Sequence, residues 1–143
     1  MTSVNEAISQ LRVAEHSWNT ALAQHRLAPP DAGYARRLRD LADACEQQQI
    51  AYGSAAAAGL GWTPLPPAKR RTPPHELRPD SGRRGPAGLW EKFDLAIDDL
   101  GRALEGISLP AIARAFGELS ETARALSKTV DQAEADERQR LAR

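Results

Sequence analysis

The stretch that decides the fold is LPAIARAFGELSETARALSKTV, residues 109–130. Its apolar residues recur at alternating steps of three and four, at Leu109, Ile112, Phe116, Leu119, Ala123, Leu126 and Val130. This alternation places them on one stripe of an α-helix, and the seven-residue repeat is typical of a helix packed against other helices. We therefore predict one long helix here, followed by a polar tail that frays from about residue 134.

Two segments in the N-terminal half have the same period. The first is predicted to be helical over residues 3–27, where Ser3 and Glu6 have capping-box spacing and Glu15 interrupts the apolar stripe. The second ends near residue 58, before a glycine that favours a left-handed cap. Its predicted seam is Tyr34, Leu38, Leu41, Cys45, Gln48, Tyr52 and Ala55. The connection between the two helices is short, so we predict that they are antiparallel neighbours.

The third helical segment begins around Pro86 and has the most strongly apolar face. That face consists of Trp90, Phe93, Ile97, Leu100, Leu104 and Ile107. Gly106 then offers a C-terminal cap, and Ser108 offers an N-cap to the long helix that follows. The sequence thus predicts a second hairpin with a tight turn.

A proline-rich segment separates the two helix pairs. Residues 61–88 hold seven of the ten prolines, which excludes a continuous helix there. We therefore divide the chain into an N-terminal helical hairpin (1–60), a Pro/Gly-rich basic linker (61–88) and a C-terminal helical hairpin with a polar tail (89–143). The fold class is all-α, and the hairpins are predicted to form a four-helix bundle or to exchange between protomers in a swapped homodimer.

Composition restricts the class of protein further. Nineteen Lys and Arg residues balance nineteen Asp and Glu residues, which argues against a uniformly basic nucleic-acid binder. No run approaches the roughly eighteen apolar residues that a membrane-spanning helix needs, and the first residues do not resemble a signal peptide. The composition favours a soluble, cytoplasmic protein without a membrane partner.

Sequence motifs for catalysis are missing. No Glu-x-x-His pair occurs, no two histidines have the spacing of metal ligands on one helix face, and no phosphate-binding loop or nucleophile elbow is present. Cys45 lies on the predicted seam, where a small apolar core residue belongs. We therefore predict that the chain is not an enzyme and needs no cofactor or metal.

Two tryptophans near the two ends of the linker are the candidate partner-binding residues. Aromatic side chains dominate the energetics of protein interfaces, which favours Trp62 and Trp90 as anchors for another protein. The alternative is that both are ordinary core residues of the bundle. A small ligand inside the bundle is a further alternative, with a lining of Trp18, His25, Tyr34 and Tyr52.

The linker is also the most basic part of the chain. Its candidate phosphate-binding residues are Lys69, Arg70, Arg71, Arg78, Arg83 and Arg84. Six such cations could neutralise nucleic-acid phosphates without reading bases. The alternative is that the linker is basic because it lies against the acidic helices on either side, where each surface ion pair contributes less than about 1 kcal/mol.

Residues 108–128 resemble the helix-turn-helix pattern of transcription regulators. In that pattern Ala113 precedes the turn glycine, Gly117, by four residues. The resemblance implies that Ser120 to Lys128 would lie on a recognition helix. However, the heptad steps continue through Gly117 without a slip, which favours an uninterrupted helix.

These patterns favour a non-enzymatic helical module for protein–protein interaction, such as an adaptor, a regulator or a structural subunit. The alternative function is that of a nucleic-acid-associated transcriptional regulator, which would use the segment at 108–128, the basic linker, or both.

Overall fold

The computed structural model describes residues 3–27, 33–59, 87–106 and 108–142. Within these ranges the chain forms four α-helices and no strand, which confirms the all-α prediction. The helices are α1 (Val4–Leu27), α2 (Tyr34–Ala57), α3 (Ala87–Glu105) and α4 (Leu109–Ala142).

Three helix ends have the predicted caps. The backbone N–H of Glu6 donates to Ser3 Oγ at 3.2 Å, and that of Ala111 donates to Ser108 Oγ at 3.3 Å. Each hydroxyl satisfies a donor that has no partner within its helix. At the end of α2, Gly59 has a φ of +88° and its N–H donates to the Ala56 carbonyl at 3.1 Å. The left-handed conformation favours glycine at this position.

The buried faces follow the predicted seams. On α3 the buried residues include Trp90, Phe93, Ile97, Leu100 and Leu104. On α4 all seven seam residues from Leu109 to Val130 are buried. On α2 the buried seam residues are Leu38, Leu41, Cys45, Gln48, Tyr52 and Ala55. One contiguous core joins all four helices, so their packing is consistent with a bundle.

Helices α2 and α4 form the central pair of this bundle, with α1 packed on α2 and α3 packed on α4. The central pair is antiparallel, because Ser127 contacts Ala35 near the start of α2 whereas Ser120 contacts Ala42 further along it. The N-terminal hairpin therefore packs against the C-terminal hairpin through α2 and α4, one helix from each.

Small residues lie on two sides of α2. Toward α4, the Ser120 hydroxyl donates to the Ala42 carbonyl at 2.9 Å and the Ser127 hydroxyl donates to the Ala35 carbonyl at 2.6 Å. Toward α1, Ala14 and Ala21 of α1 share surface grooves with Ala51 and Ala44 of α2, respectively. A serine hydroxyl reaches the main chain of a neighbouring helix only when the two backbones lie close together. Small side chains thus permit close packing on both sides of the central helix.

Helix α4 is continuous from Leu109 to Ala142. No turn interrupts it at Gly117, so residues 108–128 do not form a helix-turn-helix. This continuity agrees with the favoured interpretation of the heptad pattern. The structure differs from the sequence prediction in the tail, where fraying was expected from about residue 134 but the helix continues to Ala142. Its Ala, Glu, Arg and Gln residues have high helix propensity, which explains helix formation where the side chains become exposed.

Replacing Gly117 by Ala tests this continuous helix. A Cβ there would lie 2.6 Å from Gln49 Nε2, but that atom ends a flexible, exposed side chain that can move aside. Alanine is favoured over glycine inside a helix by roughly 1 kcal/mol. We expect urea denaturation to give a free energy of unfolding within about 1 kcal/mol of the wild-type value, or above it. A loss of more than about 2 kcal/mol would contradict the helical conformation at this glycine.

Candidate functional site

Trp90, one of the two predicted partner-binding tryptophans, lies in the core. It is 2% exposed, and its ring packs edge-on against Phe93 with 6.1 Å between centroids. This position favours the core alternative for Trp90. Trp62 lies outside the described residues, and a partner-binding role for it stays a prediction.

The six candidate phosphate-binding residues of the linker, from Lys69 to Arg84, also lie outside the described residues. Their role therefore stays a prediction.

Among the described residues, no group of three or more His, Cys, Asp or Glu side chains is arranged to hold a metal ion.

Aromatic rings fill the core near the proposed ligand site. Phe116 of α4 packs edge-on against Trp18 of α1, with ring centroids 5.3 Å apart, and stacks on Tyr52 of α2 at 5.9 Å. Trp18 and Tyr52 therefore each pack against a third ring in the core. The side chains of His25 and Tyr34 lie outside the described part of the chain.

The single thiol is fully buried on α2. Burial raises the pKa of Cys45, and the positive charge of Arg124 only partly opposes this effect. The thiol is therefore protonated at neutral pH, whereas nucleophilic attack requires a thiolate. This agrees with the prediction that Cys45 is a core residue.

The outer surface between α1 and α2 carries an apolar groove of about 380 Å³. Its lining residues are Ser9, Gln10, Val13 and Ala14 of α1 and Gln47, Ile50 and Ala51 of α2. Val13 is 65% exposed and Ile50 is 59% exposed, and each is the one large aliphatic residue that its helix contributes to the groove. The two alanines between them are buried. The groove thus has aliphatic walls and a floor of small residues.

A second, polar groove of about 310 Å³ continues along the same helix pair and shares Gln47 with the first. Its ionisable residues are His16 of α1 and Asp40 and Asp43 of α2. Asp43 is paired with Arg124 at 2.8 Å, whereas Asp40 has no ion pair within the described residues. The continuous surface is therefore apolar at one end and carries an available negative charge at the other.

The apolar repeats of the sequence did not predict the grooved surface between α1 and α2. Val13 and Ile50 lie off the apolar seams of their helices, where polar residues are expected. The only sequence signal was an isolated β-branched aliphatic residue on the solvated side of each helix. A lone exposed aliphatic residue is ordinary. It becomes notable only when the register of α1 against α2 places two of them in one groove.

Over the described residues, the chain is an all-α structure of four helices with an open groove on one helix pair. None of these helices, over the ranges described, is long and apolar enough to cross a membrane. No family model matches the chain, and neither the curated proteins nor the solved structures contain a match to it.

Proposed function

We propose that the chain is a non-enzymatic protein–protein interaction module whose docking surface is the groove between α1 and α2. The observation that carries this proposal is the pair Val13 and Ile50, which stay exposed on opposite walls of a groove with an alanine floor. Burying a Val or Ile side chain fully stabilises a complex by roughly 1.5–3 kcal/mol. A partner that covers both would therefore gain appreciable binding energy from two residues.

The occupant that this surface fits is one amphipathic helix of another protein. A helix docks in such a groove through aliphatic side chains on one face. The acidic end of the groove adds a second requirement, because Asp40 offers a negative charge that no described residue neutralises. Asp40 lies ten residues before Ile50, which is nearly three helical turns or about 15 Å. The partner helix is thus expected to carry an aliphatic residue and a Lys or Arg about three turns apart.

The small size of the groove favours a weak, exchangeable complex. Stable interfaces bury on the order of 1,200–2,000 Å² in total. Two aliphatic anchors and one charge cover much less surface, as is typical of transient contacts. No observation on the described residues favours the alternative function in nucleic-acid binding, which depends on the basic linker.

A displayed library of helical peptides tests this function directly. Selection on the purified chain is expected to enrich peptides with an aliphatic and a basic residue about three turns apart. The double variant Val13→Glu/Ile50→Glu is expected to weaken their binding at least about tenfold, since tenfold corresponds to only about 1.4 kcal/mol. Fluorescence anisotropy of the labelled peptides measures the affinity. The matched control is Leu95→Glu, which changes an aliphatic residue on α3 that is 60% exposed.

Two further results decide the identity of the occupant. Asp40→Lys is expected to shift the selection from basic to acidic peptides, and an unchanged selection would contradict the role of this charge. Sedimentation equilibrium of the full chain provides the other result. A dimer that the Val13→Glu/Ile50→Glu variant dissociates would show that a second copy occupies the groove, which would overturn the proposed partner helix.

A further inference from the structure

A polar pair lies inside the interface between α1 and α2. Glu15 is 6% exposed and Gln48 is fully buried. The Gln48 Nε2 donates a hydrogen bond to Glu15 Oε2 at 2.9 Å. Neither residue lines a groove, but Val13 precedes Glu15 by two residues and Ile50 follows Gln48 by two. The pair therefore lies at the level of the two aliphatic walls of the apolar groove.

The small residues of this interface are compatible with more than one alignment of the helices. Buried alanines recur every seven residues, at Ala7, Ala14 and Ala21 of α1 and at Ala44 and Ala51 of α2. A shift of α1 by seven residues therefore sets alanine against alanine again. The connection permits this shift, because residues 28–33 can span about 20 Å when extended and seven residues of helix measure about 10 Å.

The polar pair, in contrast, matches only one alignment. A shift of α1 by seven residues in one direction would place Ile8 opposite Gln48 and move Glu15 into the buried position of Leu22. A shift in the other direction would place Leu22 opposite Gln48. In both cases the hydrogen bond of the pair is lost, and burial of a polar group without its hydrogen bond is costly. A buried polar residue can fix the register of packed helices in this way.

The same alignment determines which residues form the walls of the groove. Val13 and Ile50 share the groove in the observed alignment. After a shift by seven residues, either Glu6 or Thr20 would take the place of Val13, depending on the direction. A charged or hydroxyl side chain would then replace an aliphatic wall of the docking surface.

We propose that Glu15 and Gln48 are positioning residues for the docking groove. Their buried hydrogen bond selects the alignment of α1 against α2 that brings Val13 and Ile50 together, whereas the apolar seams supply the stability of the helix pair. The consequence for affinity rests on the proposed docking function. The alignment itself is measurable on the chain alone.

Distances between two spin labels measure the alignment in the full chain. The labels are attached to cysteines at Asn5 and Arg36, which are exposed near the starts of α1 and α2, with Cys45 replaced by alanine. A seven-residue shift changes their separation along the helix axes by about 10 Å. Electron paramagnetic resonance is expected to show one distance for the native pair and additional distances for Glu15→Leu/Gln48→Leu.

Stability and affinity distinguish positioning from a purely structural role. Apolar replacement of a buried polar pair is often neutral or stabilising, so the double leucine variant is expected to unfold at the wild-type urea concentration or above it. Its affinity for the peptides selected on the wild-type chain is expected to fall in proportion to the fraction that keeps the wild-type distance. If half of the molecules keep that distance, binding weakens about twofold.

The matched control exchanges the two side chains. Glu15→Gln/Gln48→Glu keeps an amide facing a carboxylate, and is expected to retain the single distance and the wild-type affinity. A single wild-type distance in the double leucine variant would overturn the inference and assign the alignment to other contacts, such as the packing of Trp18 against Phe116. A double leucine variant that fails to fold would also overturn it, because the pair would then stabilise the fold itself. Failure to select any peptide on the wild-type chain would contradict the docking function, and the spin-label distances would still decide the alignment.

Discussion

Replacing Phe116 by Ala is expected to lower the free energy of unfolding by about 3–5 kcal/mol. Phe116 is 1% exposed and contacts rings from two other helices, Trp18 edge-on and Tyr52 by stacking. Each such aromatic pair contributes roughly 0.5–1.5 kcal/mol beyond the area that it buries. The substitution thus removes a core side chain and both ring contacts that join α4 to the N-terminal hairpin.

Urea denaturation followed by far-ultraviolet circular dichroism measures this loss. Small domains are stable by only about 5–15 kcal/mol, so the transition of Phe116→Ala should move to a much lower urea concentration. Leu95→Ala is the control, because Leu95 is 60% exposed and its truncation should cost less than about 0.5 kcal/mol. A loss below about 1 kcal/mol for Phe116→Ala would contradict the central position of this ring.

The second large effect is expected at the contact between α2 and α4. Replacing Ser120 and Ser127 by Leu should cost about 1–3 kcal/mol at each position, because a larger side chain in a well-packed interface forces the helices apart. Both serines are buried, and both hydroxyls donate to main-chain carbonyls of α2. The helix spacing that allows these bonds leaves little room for a branched side chain.

Replacing the same two serines by alanine distinguishes the contribution of close helix spacing from that of the hydroxyl hydrogen bonds. A typical hydrogen bond contributes about 0.5–1.5 kcal/mol net. The acceptors, the carbonyls of Ala35 and Ala42, lie inside a helix that supplies them with backbone donors. Ser120→Ala and Ser127→Ala should therefore each cost at most about 1 kcal/mol in thermal or urea denaturation. Equal losses for the alanine and leucine variants would show that the hydroxyl bonds, and not the spacing, dominate this contact.

Periodicity and caps were sufficient to predict the helices. Helix α1 was predicted over 3–27 and spans Val4–Leu27, while α2 was predicted to end near 58 and ends at Ala57. These boundaries were predictable because Ser3, Ser108 and Gly59 act locally, within a few residues of the ends that they cap.

The alignment of one helix against another could not be predicted from the sequence. Glu15 looked like an interruption of an apolar stripe, yet it is buried because α2 places Gln48 opposite it. Val13 and Ile50 looked like scattered surface residues, yet the same register brings them into one groove. Both features depend on how one helix is aligned against another, and the hydrophobic pattern of a single helix does not determine that alignment.

The central pairing of α2 with α4 has a consequence for the rate of folding. The bond between Ser127 and Ala35 joins residues 92 positions apart, whereas the bond between Gln48 and Glu15 spans 33 positions. Closing a loop costs about 0.6 kcal/mol more for each doubling of its length. Each hairpin can therefore form early from local contacts, and their docking is the non-local step. We accordingly expect this chain to fold more slowly than helical bundles of similar size whose contacts are all between sequence neighbours.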